Sequence, residues 1–121
     1  MSAFRNKRIL LVEDEFIVAA MAEDMLTDLG ATVVGPAGTV ACGLSLAETE
    51  LLDAALLDVN MDGERIDPVA EALMARRVPI VFATGYGAAG VGGAEDAPVL
   101  DKPYTQEALV LALSRAMNIQ P

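Results

Sequence analysis

Five polar residues stand at the ends of short apolar runs, and their chemistry suits a metal ion and a phosphoryl group. Glu13 and Asp14 follow one apolar run, and Asp58 ends a second. Thr84 ends a third run, and Lys102 follows a fourth. Because ligands of open α/β sheets bind at the carboxyl ends of the strands, we expect these side chains to meet at one rim.

The acidic residues of this group suit a hard divalent cation such as Mg²⁺, which takes oxygen ligands. Glu13, Asp14 and Asp58 supply carboxylates, and the backbone carbonyl of Asn60 is a further candidate ligand. Without a metal such carboxylates repel one another, and some of their pKa values rise. With a metal, Asp58 can act as a nucleophile and form an acyl phosphate.

The other two residues suit the transferred phosphoryl group, whose loose transition state is stabilised mainly by positioning and positive charge. Lys102 supplies a fixed charge. The Thr84 hydroxyl can donate a hydrogen bond to a phosphoryl oxygen.

Alternating strands and helices must position these residues. Apolar runs predict five strands, over residues 9–12, 32–34, 53–57, 79–83 and 99–100. Helical periodicity and capping residues predict helices over 15–29, 38–50 and 67–77, and a last one that Thr105 caps. This alternation is typical of an α/β fold with a parallel sheet.

The sequence also predicts the roles of several single residues in these helices. Gly30 is expected to end the first helix, and Asp67 to cap the third, with Pro68 at its first position. Cys42 is expected to be a small core residue. The first helix is expected to face the core with the residues spaced by three or four positions: Val18, Met21, Met25 and Leu29.

The segment between Thr84 and Pro98 departs from the alternation, because a helix is due there and glycine opposes it. Five of the ten glycines of the chain lie in this stretch. Each glycine in a helix interior costs roughly 1 kcal/mol relative to alanine. We therefore expect the fourth helix to be short and frayed, or replaced by a mobile loop.

Composition limits the classes of function. The chain has 121 residues and a net charge of -10, which argues against nucleic acid and anionic membranes as partners. It has no histidine, which excludes His-based catalysis and His metal ligands. A single cysteine and the absence of a long apolar run indicate a reduced, cytoplasmic setting.

Four segments of the sequence resemble the receiver domain of bacterial two-component response regulators. They occur in the family's order and spacing, over nearly the whole chain, and they are Leu10 to Glu15, Leu56 to Met61, Ala83 to Gly85 and Asp101 to Tyr104. The resemblance implies a doubly wound, flavodoxin-like sheet of five parallel strands in the order 2-1-3-4-5. Because the chain ends with the fifth predicted helix, we expect one receiver domain over residues 1–121, without an output domain.

The resemblance assigns a role to each residue at the rim. It implies that Asp58 is the phosphoacceptor, with Thr84 and Lys102 sensing the phosphate. It places Mg²⁺ on Glu13, Asp14, Asp58 and the Asn60 carbonyl. A histidine kinase or a histidine phosphotransfer protein is the implied phosphodonor, and an unknown downstream protein is the implied target.

Two features depart from the usual receiver pattern. Val99 occupies the position of the aromatic switch residue, three positions before Lys102. The stretch from Phe82 to Tyr86 resembles a subset of single-domain receivers with the sequence Phe-Ala-Thr-Gly-Tyr. We hypothesise that Tyr86 replaces the missing ring and couples Thr84 to the glycine-rich segment.

Two other classes of function remain open at this point. An Asp-nucleophile phosphohydrolase usually has a second acid two residues after the nucleophile, where this chain has Asn60, which cannot donate a proton as an acid does. We therefore expect no enzyme, and at most slow self-catalysed phosphorylation and dephosphorylation. The other class is a protein-binding module that works without phosphorylation.

Overall fold

The computed structural model describes residues 3–85 and 97–120. The strands are β1 (Arg8–Val12), β2 (Thr32–Ala37), β3 (Ala54–Asp58), β4 (Asn60–Met61), β5 (Glu64–Arg65), β6 (Ile80–Thr84) and β7 (Val99–Asp101). The helices in this part of the chain are α1 (Phe16–Asp28), α2 (Val40–Thr49), α3 (Asp67–Ala75) and α4 (Gln106–Met117). None of these helices is long and apolar enough to span a membrane.

Five strands form one parallel sheet in the order β2-β1-β3-β6-β7. Counted along the chain as five sheet strands, this is the order 2-1-3-4-5, which confirms the predicted doubly wound fold. The inner strands β3 and β6 are buried along their whole length, as expected of parallel strands covered on both faces. Buried residues of α1 and α4 pack on one face of the sheet, and those of α2 and α3 on the other.

Two helix ends have the structures that the sequence predicts. Gly30 lies just beyond α1 with a positive φ of 86°, a conformation that glycine adopts at little cost. Its N–H donates to the Thr27 carbonyl at 2.9 Å, and the Ala31 N–H donates to the Leu26 carbonyl at 3.1 Å, which is the Schellman pattern. At the start of α4, the Thr105 hydroxyl accepts from the Ala108 N–H at 3.1 Å.

The prediction of the buried face of α1 was correct in part: Met25 and Leu29 pack against the core, but the centre of the face lies one position further along the helix. The buried residues are Ala19, Ala22 and Leu26, whereas Met21 is half exposed. Two of the three buried residues are alanines, which let the helix pack closely on the sheet. The larger residues of the predicted stripe lie along one flank of this contact.

Two smaller predictions were also wrong. Asp67 is the first residue of α3, and Ile66 is its N-cap. The Asp67 carboxylate accepts a hydrogen bond from the Arg65 guanidinium at 2.9 Å. Cys42 is exposed rather than buried, since the first turn of α2 directs Gly43 toward the core. The short fourth helix or loop was predicted between Thr84 and Pro98, and residues 86–96 of that stretch lie outside the described residues.

Candidate functional site

The register of the sheet brings the ends of four strands to one level. The paired residues at this end are Val12 with Leu57, Asp58 with Ala83, and Thr84 with Asp101. Glu13 directly follows β1 and so comes level with Asp58. Lys102 directly follows β7 and lies two residues beyond Leu100, the residue of β7 that is level with Asp58. The pairing therefore places two carboxylates, a hydroxyl and an ammonium group at the same rim.

Lys102 forms ion pairs with two buried carboxylates. Its Nζ lies 2.8 Å from Glu13 Oε1 and 2.9 Å from Asp58 Oδ1. Glu13 is 4% exposed and Asp58 is 3% exposed. Buried charges require such partners, because removal from water penalises an isolated ion heavily.

Backbone donors hold the two carboxylates at their other contacts. The Glu15 N–H donates to Glu13 Oε2 at 3.2 Å, and the Asn60 N–H donates to Asp58 Oδ1 at 3.3 Å. The second oxygen of Asp58, Oδ2, is buried and has no hydrogen-bond partner among the described residues. A buried carboxylate oxygen with free lone pairs is an unusual feature, and it fits an atom that receives a ligand.

Three of the acids are close enough to share one cation. Glu13, Asp14 and Asp58 each offer a carboxylate oxygen, and these oxygens lie within 4.8 Å of one another. Asn60 follows in β4, two residues after Asp58. The donors of this group are all oxygen atoms, which is the set that Mg²⁺ prefers. Thr84 is buried at the end of the neighbouring strand β6.

The balance of charge at the rim shows in the pKa values. Burial, and to a lesser extent the contact with Glu13, raise the pKa of Asp58, whereas the hydrogen bond and charge of Lys102 lower it, and the net pKa is about 7. Burial lowers the pKa of Lys102, but its contacts with Glu13 and Asp58 more than offset this, so that the pKa is raised overall. Lys102 therefore stays charged, and Asp58 is the group that titrates near neutral pH.

An open cavity of about 350 Å³ lies between α1 and the segment after β7, with Asp58 in its wall. The apolar residues that line it include Val18, Met21 and Met25, which are three of the four predicted core residues of α1. Tyr104 forms part of the opposite wall, and burial together with the Glu13 charge raises its pKa to about 12. Tyr104 thus stays neutral and presents an apolar ring beside the acids.

The sequence did not predict two parts of this site, and a third predicted residue lies outside the described residues. The cavity was missed because periodicity alone cannot say which flank of α1 meets the sheet. The β4–β5 hairpin was missed although Asp62-Gly63 is a common sequence signal for such a turn. Tyr86, the candidate switch residue, lies outside the described residues.

Comparison with solved structures finds proteins that resemble this chain in both fold and sequence. The chain is 47% identical to SdrG from Sphingomonas melonis Fr1, whose solution structure matches with a TM-score of 0.82 over 97% of this chain and 99% of that one. It is 26% identical to the receiver domain of the sensor histidine kinase PA1611 from Pseudomonas aeruginosa PAO1, with a TM-score of 0.79. That match covers 93% of this chain and 98% of the other, whose active-site cleft coordinates a magnesium ion.

Sequence comparison gives a further relative. The transcriptional regulatory protein PdtaR from Mycobacterium tuberculosis is 33% identical over 119 residues, which cover 93% of this chain. They cover 57% of PdtaR, so the chain spans a little over half the length of this curated relative. No family model matches the sequence.

Proposed function

The chain belongs to the receiver-domain family of response regulators, and we propose that it is a switch operated by phosphorylation of Asp58. The phosphodonor in this proposal is a histidine kinase or a histidine phosphotransfer protein. The signal then passes to a downstream protein by direct contact or by phosphate relay. One observation carries the proposal: Lys102 binds Oδ1 of Asp58, while the buried Oδ2 has no hydrogen-bond partner within residues 3–85 and 97–120.

The residues at the rim also fit a magnesium ion, because their available atoms are oxygens. The donors are carboxylate oxygens of Glu13, Asp14 and Asp58 that lie within 4.8 Å of one another. In the described part of the chain, Asp58 Oδ2 has no hydrogen-bond partner, so it is free to accept a ligand. We assign these three side chains and the Asn60 carbonyl as the ligands. When bound, the metal supplies positive charge where carboxylate and phosphoryl oxygens meet.

The proposed transfer uses the remaining residues as follows. A carboxylate oxygen of Asp58 attacks the phosphorus of the donor phosphohistidine and forms an O–P bond. The N–P bond breaks, and its electron pair stays on the imidazole nitrogen. The Lys102 ammonium, which lies 2.9 Å from Asp58 Oδ1, neutralises charge on the phosphoryl oxygens, and the Thr84 hydroxyl donates a hydrogen bond to one of them.

The experiment that tests this proposal is labelling with acetyl phosphate in Mg²⁺, followed by intact-mass spectrometry. The wild type should gain one phosphoryl group and Asp58→Asn should gain none. Asp101→Asn, which removes an exposed carboxylate from the same rim, is the matched control and should be labelled like the wild type. Labelling that persists in Asp58→Asn would contradict the assignment of the phosphoacceptor.

Two further measurements separate the alternative functions. A phosphohydrolase would turn over a generic phosphomonoester repeatedly, whereas the proposed switch is phosphorylated once and loses the group slowly. A binding module that works without phosphate would hold its partner equally with and without beryllofluoride, a mimic of the phosphoryl group. The proposed switch should bind a downstream partner with different affinity in the two states.

A further inference from the structure

A small β-hairpin stands directly beside the candidate metal site. β4 and β5 are antiparallel, and the paired residues are Asn60 with Arg65 and Met61 with Glu64. The two turn residues both have left-handed backbone conformations, with φ of 52° at Asp62 and 85° at Gly63. Two successive left-handed residues define the type I′ turn, whose twist matches that of the strands it joins.

The register of this hairpin determines where the backbone of Asn60 points. In a hairpin with a two-residue turn, the pair next to the turn exchanges its backbone hydrogen bonds, here Met61 with Glu64. The following pair, Asn60 with Arg65, therefore directs its backbone groups away from the partner strand. The Asn60 N–H accordingly donates outward, to Asp58 Oδ1 at 3.3 Å. In an extended strand the carbonyl of a residue points to the same edge as its N–H, so the Asn60 carbonyl also faces the site.

The hairpin is fixed at both its base and its tip. Met61 is 2% exposed and packs in the core with Ile66 and Val69. At the tip, Asn60 Oδ1 accepts from the Gly63 N–H at 3.2 Å. The side chain of Asn60 thus holds the turn that fixes its own backbone.

We propose that the hairpin of residues 60–65 is a positioning device for the metal site. In this arrangement Asn60 binds the cation only through its backbone carbonyl. Its side chain, the buried Met61 and the left-handed Gly63 are positioning residues that act through that carbonyl. The inference rests on the proposed function, because it concerns the ligands of the same magnesium ion.

Two glycines at this rim offer a matched test. A Cβ added at Gly63 or at Gly38 would meet no atom within 4 Å, so both positions have room for a methyl group. They differ in the backbone, since only Gly63 has a positive φ. Gly38 lines the neighbouring surface with Asp14 and Met61. Gly63→Ala therefore changes the turn, whereas Gly38→Ala adds the same group without that effect.

The measurement is the Mg²⁺ dissociation constant, from an NMR titration of backbone amides below the thermal transition of each variant. Gly63→Ala should weaken Mg²⁺ binding by about five- to tenfold, because binding must restore a turn that alanine disfavours. Gly63→Asn should recover most of the affinity, since asparagine tolerates the left-handed region. Gly38→Ala should bind like the wild type.

A second variant tests the link between the Asn60 side chain and the turn. Asn60→Ala keeps the backbone carbonyl but removes the acceptor of the Gly63 N–H, and it should weaken Mg²⁺ binding by about two- to tenfold. Wild-type affinity in both Gly63→Ala and Asn60→Ala would overturn the inference while leaving the proposed function intact. An equal loss in Gly38→Ala would overturn it as well. A wild type that does not bind Mg²⁺ would overturn the proposed metal site and the inference together.

Discussion

The raised pKa of Asp58 leads to a prediction about how stability depends on pH. Burial is the main cause that raises this pKa from 3.8 to about 7. In the unfolded chain the proton leaves near the lower value, whereas in the folded chain it remains until about neutral pH. The folded state therefore binds more protons across this window, and the free energy of unfolding falls as the pH rises through it.

The size of the effect follows from the two pKa values. Between about pH 5 and about pH 8, this one group lowers the free energy of unfolding by about 2 to 3 kcal/mol in metal-free buffer. Asp58→Asn resembles the protonated acid in shape and has no proton to lose. Its advantage in stability over the wild type should therefore widen by about 2 to 3 kcal/mol from the lower to the higher pH.

The assay is urea denaturation followed by far-UV circular dichroism, with a chelator present. Circular dichroism is suitable because the chain has no tryptophan for fluorescence. Asp101→Asn removes an exposed carboxylate from the same rim, so its pH profile should parallel that of the wild type. If the profile of Asp58→Asn also runs parallel to that of the wild type, burial does not set this pKa and the reasoning fails.

Two more predictions concern single side chains. Lys102→Met should raise the pKa of the Asp58 carboxyl above about 7, because the contacts of the lysine lower this pKa. The pKa is measured from the carbon-13 NMR shift of the carboxyl as the pH is changed. Lys7→Met, far from the rim, should leave this pKa unchanged. Ser114→Ala should raise the free energy of unfolding by about 1 kcal/mol, measured in urea, because the buried Ser114 hydroxyl has no partner among the described residues. Ser45→Ala, at an exposed helical position, should gain less, and an equal gain would point to helix propensity alone.

The rim residues could be predicted from sequence because the strands are parallel. In a parallel sheet every strand ends at the same edge, so a polar residue after an apolar run is placed without knowledge of the register. Asp58, Glu13 and Lys102 come together in the structure for this reason. Their distances could not be predicted, because those depend on side-chain conformations in a buried site.

The errors have a common physical source, which is that small residues allow close packing without a strong hydrophobic signal. The contact of α1 with the sheet is made largely by Ala19 and Ala22, whereas the methionines beside them line the cavity. Likewise Gly43 faces the core in α2, with Val12 methyl groups 3.1 and 3.2 Å from where its Cβ would be. Hydrophobic periodicity weights large residues most, so it included Met25 and Leu29, which do pack against the core, but missed the alanines at the centre of the buried face.

The instability of the metal-free rim and its proposed function share one physical origin. Three carboxylates, those of Glu13, Asp14 and Asp58, lie together at the rim. Lys102 contacts both Glu13 and Asp58, but its single positive charge offsets only one negative charge. The remaining negative charge lowers stability once Asp58 ionises, and a bound cation relieves it. By linkage, a ligand that binds only the folded state stabilises that state according to its affinity. Mg²⁺ should therefore raise the free energy of unfolding of the wild type more at the higher pH, where Asp58 is charged, than at the lower pH. At the higher pH, Mg²⁺ should stabilise Asp58→Asn less than the wild type.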